Sequence, residues 1–570
     1  MRRLLTLVPA YVALAVVLTW PAALGLGTTV PGSPRTDLWN SLWSFWFAAD
    51  ALLAGELPYQ ARLLNHPEGG TLLVSDLPGV VAMTPLVGLL GVVGAYTLLV
   101  WFRLTLVGVA THLLAADLVE RALASDNPAR TTAPWIAGVG MAAAPVLLSA
   151  IHNGTSEAFN AGWAVLAIWA ALRASVGGSW RWATAAGLLL LPASLASWYA
   201  GVVAFLFVGS LAVLGPGAQP WRKHLGRRLL VLVLGLAVTA PAAMLFQRGA
   251  TAPTNLVGIK HAQELAGVRR TTGPADPVGY VRGGDFRSPD FRTTSRYGEN
   301  FIHCHYLGWV LILGSGLALS RRRRTGALWL AGGAGLLLSL GPVWVSGGSP
   351  VILAGDRAVP LPYFLVEGLP GFSSLSLIFR LALAPALAAA LLAAVGYGAV
   401  AARLGPLGRW LPVAVVLGIL AEKRLVSPLG ALPDAVDARP APAILALAEQ
   451  PPGAVLNFPV VGGRPYLYEQ TVHGKAVAGT LNFPNNRAGQ RVWSAILKQT
   501  QAPPAEAKAR IAKAARARGI RYLAVHVDAM ARPDLHDAGV KVVKEAFEPI
   551  DVAGASGDPE ALPVRVYRLW

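Results

Sequence analysis

The chain has 570 residues, 54% of them hydrophobic and 14% charged, with 48 Lys plus Arg against 30 Asp plus Glu, a net +18. A soluble domain holds about 25% charged residues, so polar side chains cannot cover this much apolar surface; the composition excludes an ordinary water-soluble protein and implies a polytopic membrane bundle with one appended soluble part. The positive surplus invites a nucleic-acid reading, which is decided by where the charges sit.

In chain order, Met1-Arg2-Arg3 is followed by an apolar run to about Leu26. A signal-peptide core runs about 7–15 residues; this run is longer and has many apolar segments behind it, which predicts an uncleaved first helix. Positive-inside bias then puts Arg2 and Arg3 in the cytoplasm. Further apolar segments lie at 95–118, 133–151, 158–173, 183–197, 199–214, 228–246, 304–319, 326–344, 376–401 and 409–424. Each is near the roughly 20 residues a span needs, which predicts about eleven transmembrane helices. The stretch Pro78 to Val93 contains Pro85 and several glycines. Counting it as a span would invert the parity of every later segment, so the expectation is a helix lying along or dipping into the outer interface. The pair 183–197 and 199–214 reads as a tight hairpin turning at Ser197-Trp198-Tyr199.

This parity assigns to the cytoplasm sixteen basic residues, among them Arg121, Arg130, Arg173, Arg181 and Arg321 to Arg324, with Glu120 and Asp126 as the acids. The short outside turns His152 to Glu157 and Ser197 to Tyr199 hold no Lys or Arg. Most of the surplus is therefore a topology signal, and residues 425–570, with 17 basic and 13 acidic residues, are too nearly balanced to argue for nucleic acid. Three long outside regions remain, at 27–79, 247–303 and 345–375. The first is acidic and contains aromatic residues at helical spacing between Leu38 and Phe47; loops of such length are usually functional or disordered.

Residues 1–424 form the predicted membrane domain. Residues 425–570 are long enough to bury their own core. They alternate β-prone runs (Ala454 to Phe458, Tyr522 to Val527, Val564 to Leu569) with a helical pattern at Ala505 to Arg518, which predicts a small extracytoplasmic α/β domain. A proline-punctuated connector, Ser427 to Pro442, leads into it.

The side chains that can do chemistry lie on the outer face. Asp37 stands before the aromatic helix: a carboxylate near an apolar surface gains basicity, although Asp before Leu-Trp-Asn also reads as an N-cap. His152 and Glu157 sit in a polar island, His152-Asn153-Gly154-Thr155-Ser156-Glu157, which can bind a metal or a phosphate, orient a substrate, or simply end one helix and cap the next. Asn153-Gly154-Thr155 also matches a glycosylation sequon. Glu299 precedes His303, Cys304 and His305; two histidines that close in sequence face different directions, which weakens a metal reading. Arg380 can hold a phosphate with its guanidinium or snorkel to lipid headgroups. Cys304, the single cysteine, excludes an intrachain disulfide framework and Cys-based zinc or iron–sulfur sites. No phosphate-binding loop, dinucleotide fingerprint or His-Glu-x-x-His is present, nor the matched interrupted helices of many secondary transporters.

With these residues in place, the arrangement resembles the GT-C superfamily of integral-membrane glycosyltransferases, which includes protein mannosyltransferases and aminoarabinose transferases. The resemblance covers residues 1–424. It rests on Asp37 just after the first helix, the His152 to Glu157 turn, Glu299-Asn300 followed by Tyr306-Leu307-Gly308, and Leu369-Pro370-Gly371-Phe372 leading to Arg380. Similar bacterial members carry an outside C-terminal domain with stretches like Leu456-Asn457-Phe458-Pro459 and Gln470 to Lys475. The resemblance implies transfer of a sugar from a polyprenyl-phosphate donor to an unknown acceptor (glycan, lipid or protein) on the extracytoplasmic face. Asp37 would be the general base, and His152, Glu157, Glu299 and Arg380 would bind substrate or donor phosphate. Asp37 stands alone at its position rather than in an acidic pair, a departure from the family's pattern that puts metal dependence in doubt; no cofactor is assigned and a divalent metal stays open. The rival is a non-catalytic lipid-linked-sugar transporter or scaffold in which Asp37 only caps. An Ala-, Gly-, Arg- and Pro-rich composition suggests a bacterial cytoplasmic (inner) membrane, with membrane lipids as surroundings and no nucleic-acid partner.

Overall fold

The computed structural model describes residues 2–72, 76–177, 179–215, 224–250, 273–283, 301–346, 349–353, 357–369, 377–426, 433–458, 465–481, 486–526, 533–550 and 563–570, with a few single positions besides. It is mostly helical. The first part contains α1 (Arg2–Leu18), α2 (Leu38–Leu53), α3 (Leu77–Ala122), α4 (Pro134–Ala142), α5 (Pro145–His152), α6 (Gly162–Ser175), α7 (Trp180–Ala196), α8 (Trp198–Leu214), α9 (Leu225–Ala250), α10 (Trp309–Leu317), α11 (Arg322–Ser339), α12 (Leu383–Ala401) and α13 (Leu411–Val426).

Each apolar segment expected to span is helical over most of its length, yet four helical stretches among the described residues are long and apolar enough to cross a bilayer: Leu77–Ala122, Pro134–His152, Leu225–Gly249 and Ile378–Leu425. The difference has local causes. Residues 301–308 run without helix, so the segment expected from 304 starts only at Trp309. Pro145 starts a second helix within 133–151, and Arg380 sits in a 3-10 turn (Ile378–Ala382) rather than in regular helix.

The ambiguous stretch after Pro78 is neither a plain connector nor part of a straight helix. Gly91 takes φ 68° and ψ 169° and breaks α3 into arms 77–90 and 92–122. The arms fold back on each other, because Asp76, at the start of the first, is ion-paired with Arg103 in the second. Asp76 also accepts from Gly79 N at 3.2 Å and from Asn160 Nδ2 at 2.7 Å. The sharp reversal needs a residue without a side chain at positive φ.

Helices of the bundle approach closely where small residues permit it. The ring of Tyr11 on α1 lies against Gly108 and Gly138, where any Cβ would overlap it, and its hydroxyl meets His112 Nδ1 at 3.2 Å. Several of the basic residues assigned to the cytoplasm gather at one end of the bundle. Arg173 grips Asp117 through Nε at 2.6 Å and Nη2 at 2.8 Å, Arg130 lies 3.3 Å from Glu120, and Arg324 donates to the carbonyls of Arg121 and Ala122.

Strand β1 (Thr29–Pro31) follows α1, and β2 (Val345–Ser346), β3 (Ser349–Pro350), β4 (Ile352–Leu353) and β5 (Arg357–Ala358) form two short antiparallel ladders. Beyond α13 lie β6 (Ala435–Asp437), α14 (Pro442–Ala448), β7 (Ala454–Phe458), α15 (Pro465–His473), α16 (Arg487–Leu497), α17 (Pro504–Arg516), β8 (Ile520–His526), α18 (Pro533–Ala546) and β9 (Val564–Arg568). The sheet order is β7-β8-β9, with β7 and β8 parallel and β9 antiparallel. One face buries Leu456, Leu523 and Val525 with the apolar sides of α16, α17 and α18. The other shares a core with the segment 27–72: Val455, Tyr522 and Ala524 pack in one cluster with Trp43, Phe47, Leu64 and Leu72. Pairing of β1 with β6 (Val30 opposite Val436) adds a second attachment.

Candidate functional site

The site is assembled from four segments far apart in sequence. Residues 33–37 lie along the turn after α5: Ser33 N donates to His152 O at 2.8 Å and Asp37 N to Asn153 O at 3.0 Å. The turn is tight because Gly154 takes φ +64°, and a Cβ there would run into the backbone of Leu38. Ser41 Oγ donates to Gly154 O from the first turn of α2. The third segment is pinned by Asn153, whose amide donates to Ile302 O at 2.7 Å and accepts from Ile302 N at 2.9 Å. This buried, doubly bonded amide belongs to the sequon, so the motif serves here as a structural clasp.

The fourth segment brings Arg380. Its Nη1 donates to Glu157 Oε1 at 2.8 Å, with the guanidinium 9% and the carboxylate 24% exposed. It lies over the ring of Tyr199 at 5.2 Å, and the Tyr199 hydroxyl accepts from Leu377 N at 2.9 Å, which fixes the approach to the arginine turn. Glu157 and Arg380 are thus paired, and the bond of Asp37 N to Asn153 O sets Asp37 against the turn that carries Glu157.

Asp37 occupies the N-cap position of α2, but its side chain makes no capping bond to the helix backbone. Its Oδ1 instead accepts from Asn40 Nδ2 at 3.2 Å. The side-chain cap expected of Asp before Leu-Trp-Asn is therefore not formed. His152 takes another direction: its ring is buried, with Nδ1 3.9 Å from Asp434 Oδ2 at the approach to β6. Glu299 lies outside the described residues.

Beside Arg380 is a small cavity lined by Val146, Ser149, Asn153, Thr155, His303 and Phe379 among others. His303 stands edge-on to Phe379, ring centroids 4.5 Å apart. Burial first, then the nearby Arg380, hold its imidazole well below the usual histidine range, so it faces the cavity neutral. His305 points elsewhere, against Tyr280, with Nε2 2.8 Å from Asp276 O. The two histidines do not form a ligand pair, and among the described residues no three His, Cys, Asp or Glu gather to hold a metal ion.

Sequence reasoning misses three features. Tyr199 reads as an interfacial aromatic in a turn, and His303 reads by type only as a metal ligand. Arg103 is the third: it donates to Ser156 O at 2.8 Å, lies over the Phe159 ring at 5.0 Å, and props the turn that carries Glu157. A signal for it exists, since an arginine well inside the apolar segment 95–118 is costly unless partnered.

No protein-family model and no curated protein matches the sequence. Solved structures similar to it are GT-C glycosyltransferases, the superfamily its motifs resemble. They include ArnT from Cupriavidus metallidurans bound to undecaprenyl phosphate, at 14% identity over 99% of this chain and 98% of that one, with a TM-score of 0.48. The arabinofuranosyltransferase AftD from Mycobacteria matches at 16% identity over 100% of this chain and 40% of its own, TM-score 0.49. The Archaeoglobus fulgidus oligosaccharyltransferase tethered with an acceptor peptide matches at 13% identity over 94% and 71%, TM-score 0.47. At that distance the likeness says nothing of this chain's substrate, and what the site does has to be read from its own residues.

Proposed function

We propose that this protein is a membrane glycosyltransferase that moves a sugar from a polyprenyl-phosphate donor to an acceptor on the extracytoplasmic face, inverting the anomeric centre, with Asp37 as general base. One observation carries the reading: the buried Arg380 is bonded to Glu157, and Asp37 is tied through its backbone N to Asn153 O in the turn that leads to Glu157. The rival is a scaffold or transporter in which Asp37 has only a structural role.

The chemistry follows from the charges. As the anomeric C–O bond breaks, negative charge grows on the departing phosphate, and a guanidinium held in a water-poor site stabilises it. Arg380 supplies that cation. Glu157 holds one edge of the guanidinium and leaves other N–H groups for phosphate oxygens, since arginine has five donors. The acceptor O–H or N–H gives its proton to Asp37 while its heteroatom bonds to the anomeric carbon from the face opposite the phosphate. Nearby carboxylates also favour oxocarbenium character at that carbon. Neutral His303, which lines the cavity beside Arg380, can bond a sugar hydroxyl without adding charge. The cavity beside Arg380 is too small for a sugar, so donor entry must widen it. None of these steps runs through a metal.

On this reading the N-terminus is cytoplasmic. Loops 27–79, 247–303 and 345–375 and the α/β segment 425–570 lie outside, about eleven helices cross the bilayer, and the membrane is a bacterial cytoplasmic one. The gathering of arginines at one end of the bundle supports that sidedness.

The test uses purified protein, a panel of polyprenyl-phosphate sugars, and methanol as surrogate acceptor. Wild type should yield a methyl glycoside of configuration opposite to the donor, and Arg380→Met should lower its formation by about a hundredfold or more. A product that retains the donor's configuration would rule out single displacement with Asp37 as base.

A further inference from the structure

Helix α2, which follows Asp37, is held from two sides. Phe45 faces the bundle, tilted against Tyr96 at 6.1 Å and near Arg103. Trp39 and Trp43, one turn apart, face α15 of the C-terminal segment. The Trp39 ring stacks on Tyr468 at 5.1 Å, and its Nε1 donates to Pro34 O at 2.9 Å. That bond closes the short loop 34–39 around Asp37. Tyr468 is itself fixed, its hydroxyl donating to Ala438 O at 2.6 Å. One turn further on, Trp43 Nε1 donates to Gln470 Oε1 at 2.6 Å, and Gln470 Nε2 donates to Leu63 O at 2.8 Å and Lys475 O at 2.9 Å. Trp43 and Gln470 are both fully buried.

From this geometry we infer that the C-terminal segment is a positioning device for the Asp37 carboxylate, with Tyr468 and Gln470 as its positioning residues. The inference rests on the reading of Asp37 as general base. A continuous path runs from the Asp37 loop through Trp39 to Tyr468 and on to β6, and a second joins the same helix to Gln470. Burying a hydrophobic core does not require polar bonds that bridge more than 400 residues of sequence; such bonds fix register and orientation. A base acts only if held within a fraction of an ångström of its working position, and misplacement by about 1 Å costs up to about a hundredfold in rate. Neither Tyr468 nor Gln470 belongs to the Arg380 and Glu157 cluster, so their effect on turnover must pass through α2.

The experiment is a double-mutant cycle on the full-length protein, with sugar transfer to methanol as readout. Tyr468→Leu removes the stack on Trp39 and should lower kcat about tenfold with the donor KM changed by less than about twofold. Tyr468→Phe keeps the ring and should restore most of the rate. In the Asp37→Asn background, Tyr468→Leu should change the residual rate by less than about twofold, because nothing is left to position. Equal losses in both backgrounds, or a lowered Tm with kcat unchanged, would overturn the inference. Should Tyr468→Leu not fold, Gln470→Met enters the same cycle with the same two outcomes. Full activity of Asp37→Asn alone would instead remove the general base itself, a failure of the proposed function and distinct from additivity in the cycle.

Discussion

At Gly154 three requirements meet: a left-handed backbone, no room for a Cβ against Leu38, and a carbonyl that must face Ser41. Gly154→Ala should therefore cost about 1–3 kcal/mol in stability and displace the Asp37 loop; thermal unfolding and turnover measured together check this, and an unaffected Tm would show that the turn relaxes freely. Arg380→Lys keeps the charge but loses the planar fork that serves Glu157 and a phosphate at once. It should weaken binding of polyprenyl phosphate about tenfold, measurable by ligand-induced thermal shift, whereas wild-type affinity would mean the phosphate binds elsewhere. Asp37, Glu157 and Arg380 were each legible in the sequence because a polar group stood beside apolar helices. Their meeting was not, since the Arg380–Glu157 bond joins residues 223 apart and no local pattern reports such a contact. The direction of His152 was equally hidden, because its partner Asp434 lies in the connector to β6.

Among elements, α15 does more than its nine residues suggest. Between Tyr468 and Gln470, which hold α2, Glu469 points toward the ends of the parallel strands, with Oε2 3.6 Å from His526 Nε2; His526 in turn lies 3.2 Å from Asn457 Oδ1. Burial pushes the Glu469 carboxyl up to about 8 and the His526 imidazole down to about 4. Burial and then Lys475 lower His473 to about 3. Above pH 6.5 the two histidines are mostly neutral whether folded or not, so of these three groups Glu469 alone changes its proton count between the states. The folded chain holds its proton and the unfolded chain does not, so stability falls as pH rises toward 8. Below pH 6.5 the unfolded chain protonates two histidines that the folded chain keeps neutral, outweighing the single Glu469 proton, and stability falls again as pH drops. The Tm of wild type relative to Glu469→Gln should therefore fall as pH rises from 6.5 to 8; a constant difference would contradict this assignment. The strands and helices of this segment could be read from alternating apolar residues and Ala-rich helical periodicity. The break of α3 at Gly91 could not, because glycines are common in membrane helices and nothing local told which one would reverse the chain. The late start of α10 was similarly masked by the apolar character of residues 304–308.

For the whole molecule, the distribution of charge gave an expected topology but no sign of how the C-terminal segment is attached. The C-terminal segment is knit to the first loop by a shared apolar core and by the pairing of β1 with β6. Composition could not reveal this, since either partner alone reads as an ordinary amphipathic piece. Sidedness is open to direct labelling. With Cys304 replaced by Ser, a cysteine at Ala505 on exposed α17 should react with a membrane-impermeant maleimide in intact cells, and one at Ser320 only after permeabilisation; the reverse pattern would invert the topology. The central claim is that Asp37 is a base rather than a cap, and the most direct measurement compares wild type with Asp37→Asn, in which the side chain keeps its shape and its ability to accept a hydrogen bond. Both proteins should bind polyprenyl phosphate alike, while sugar transfer from a labelled polyprenyl-phosphate donor falls by at least about a hundredfold in the variant. Transfer at the wild-type rate by a folded, lipid-binding Asp37→Asn protein would contradict the account.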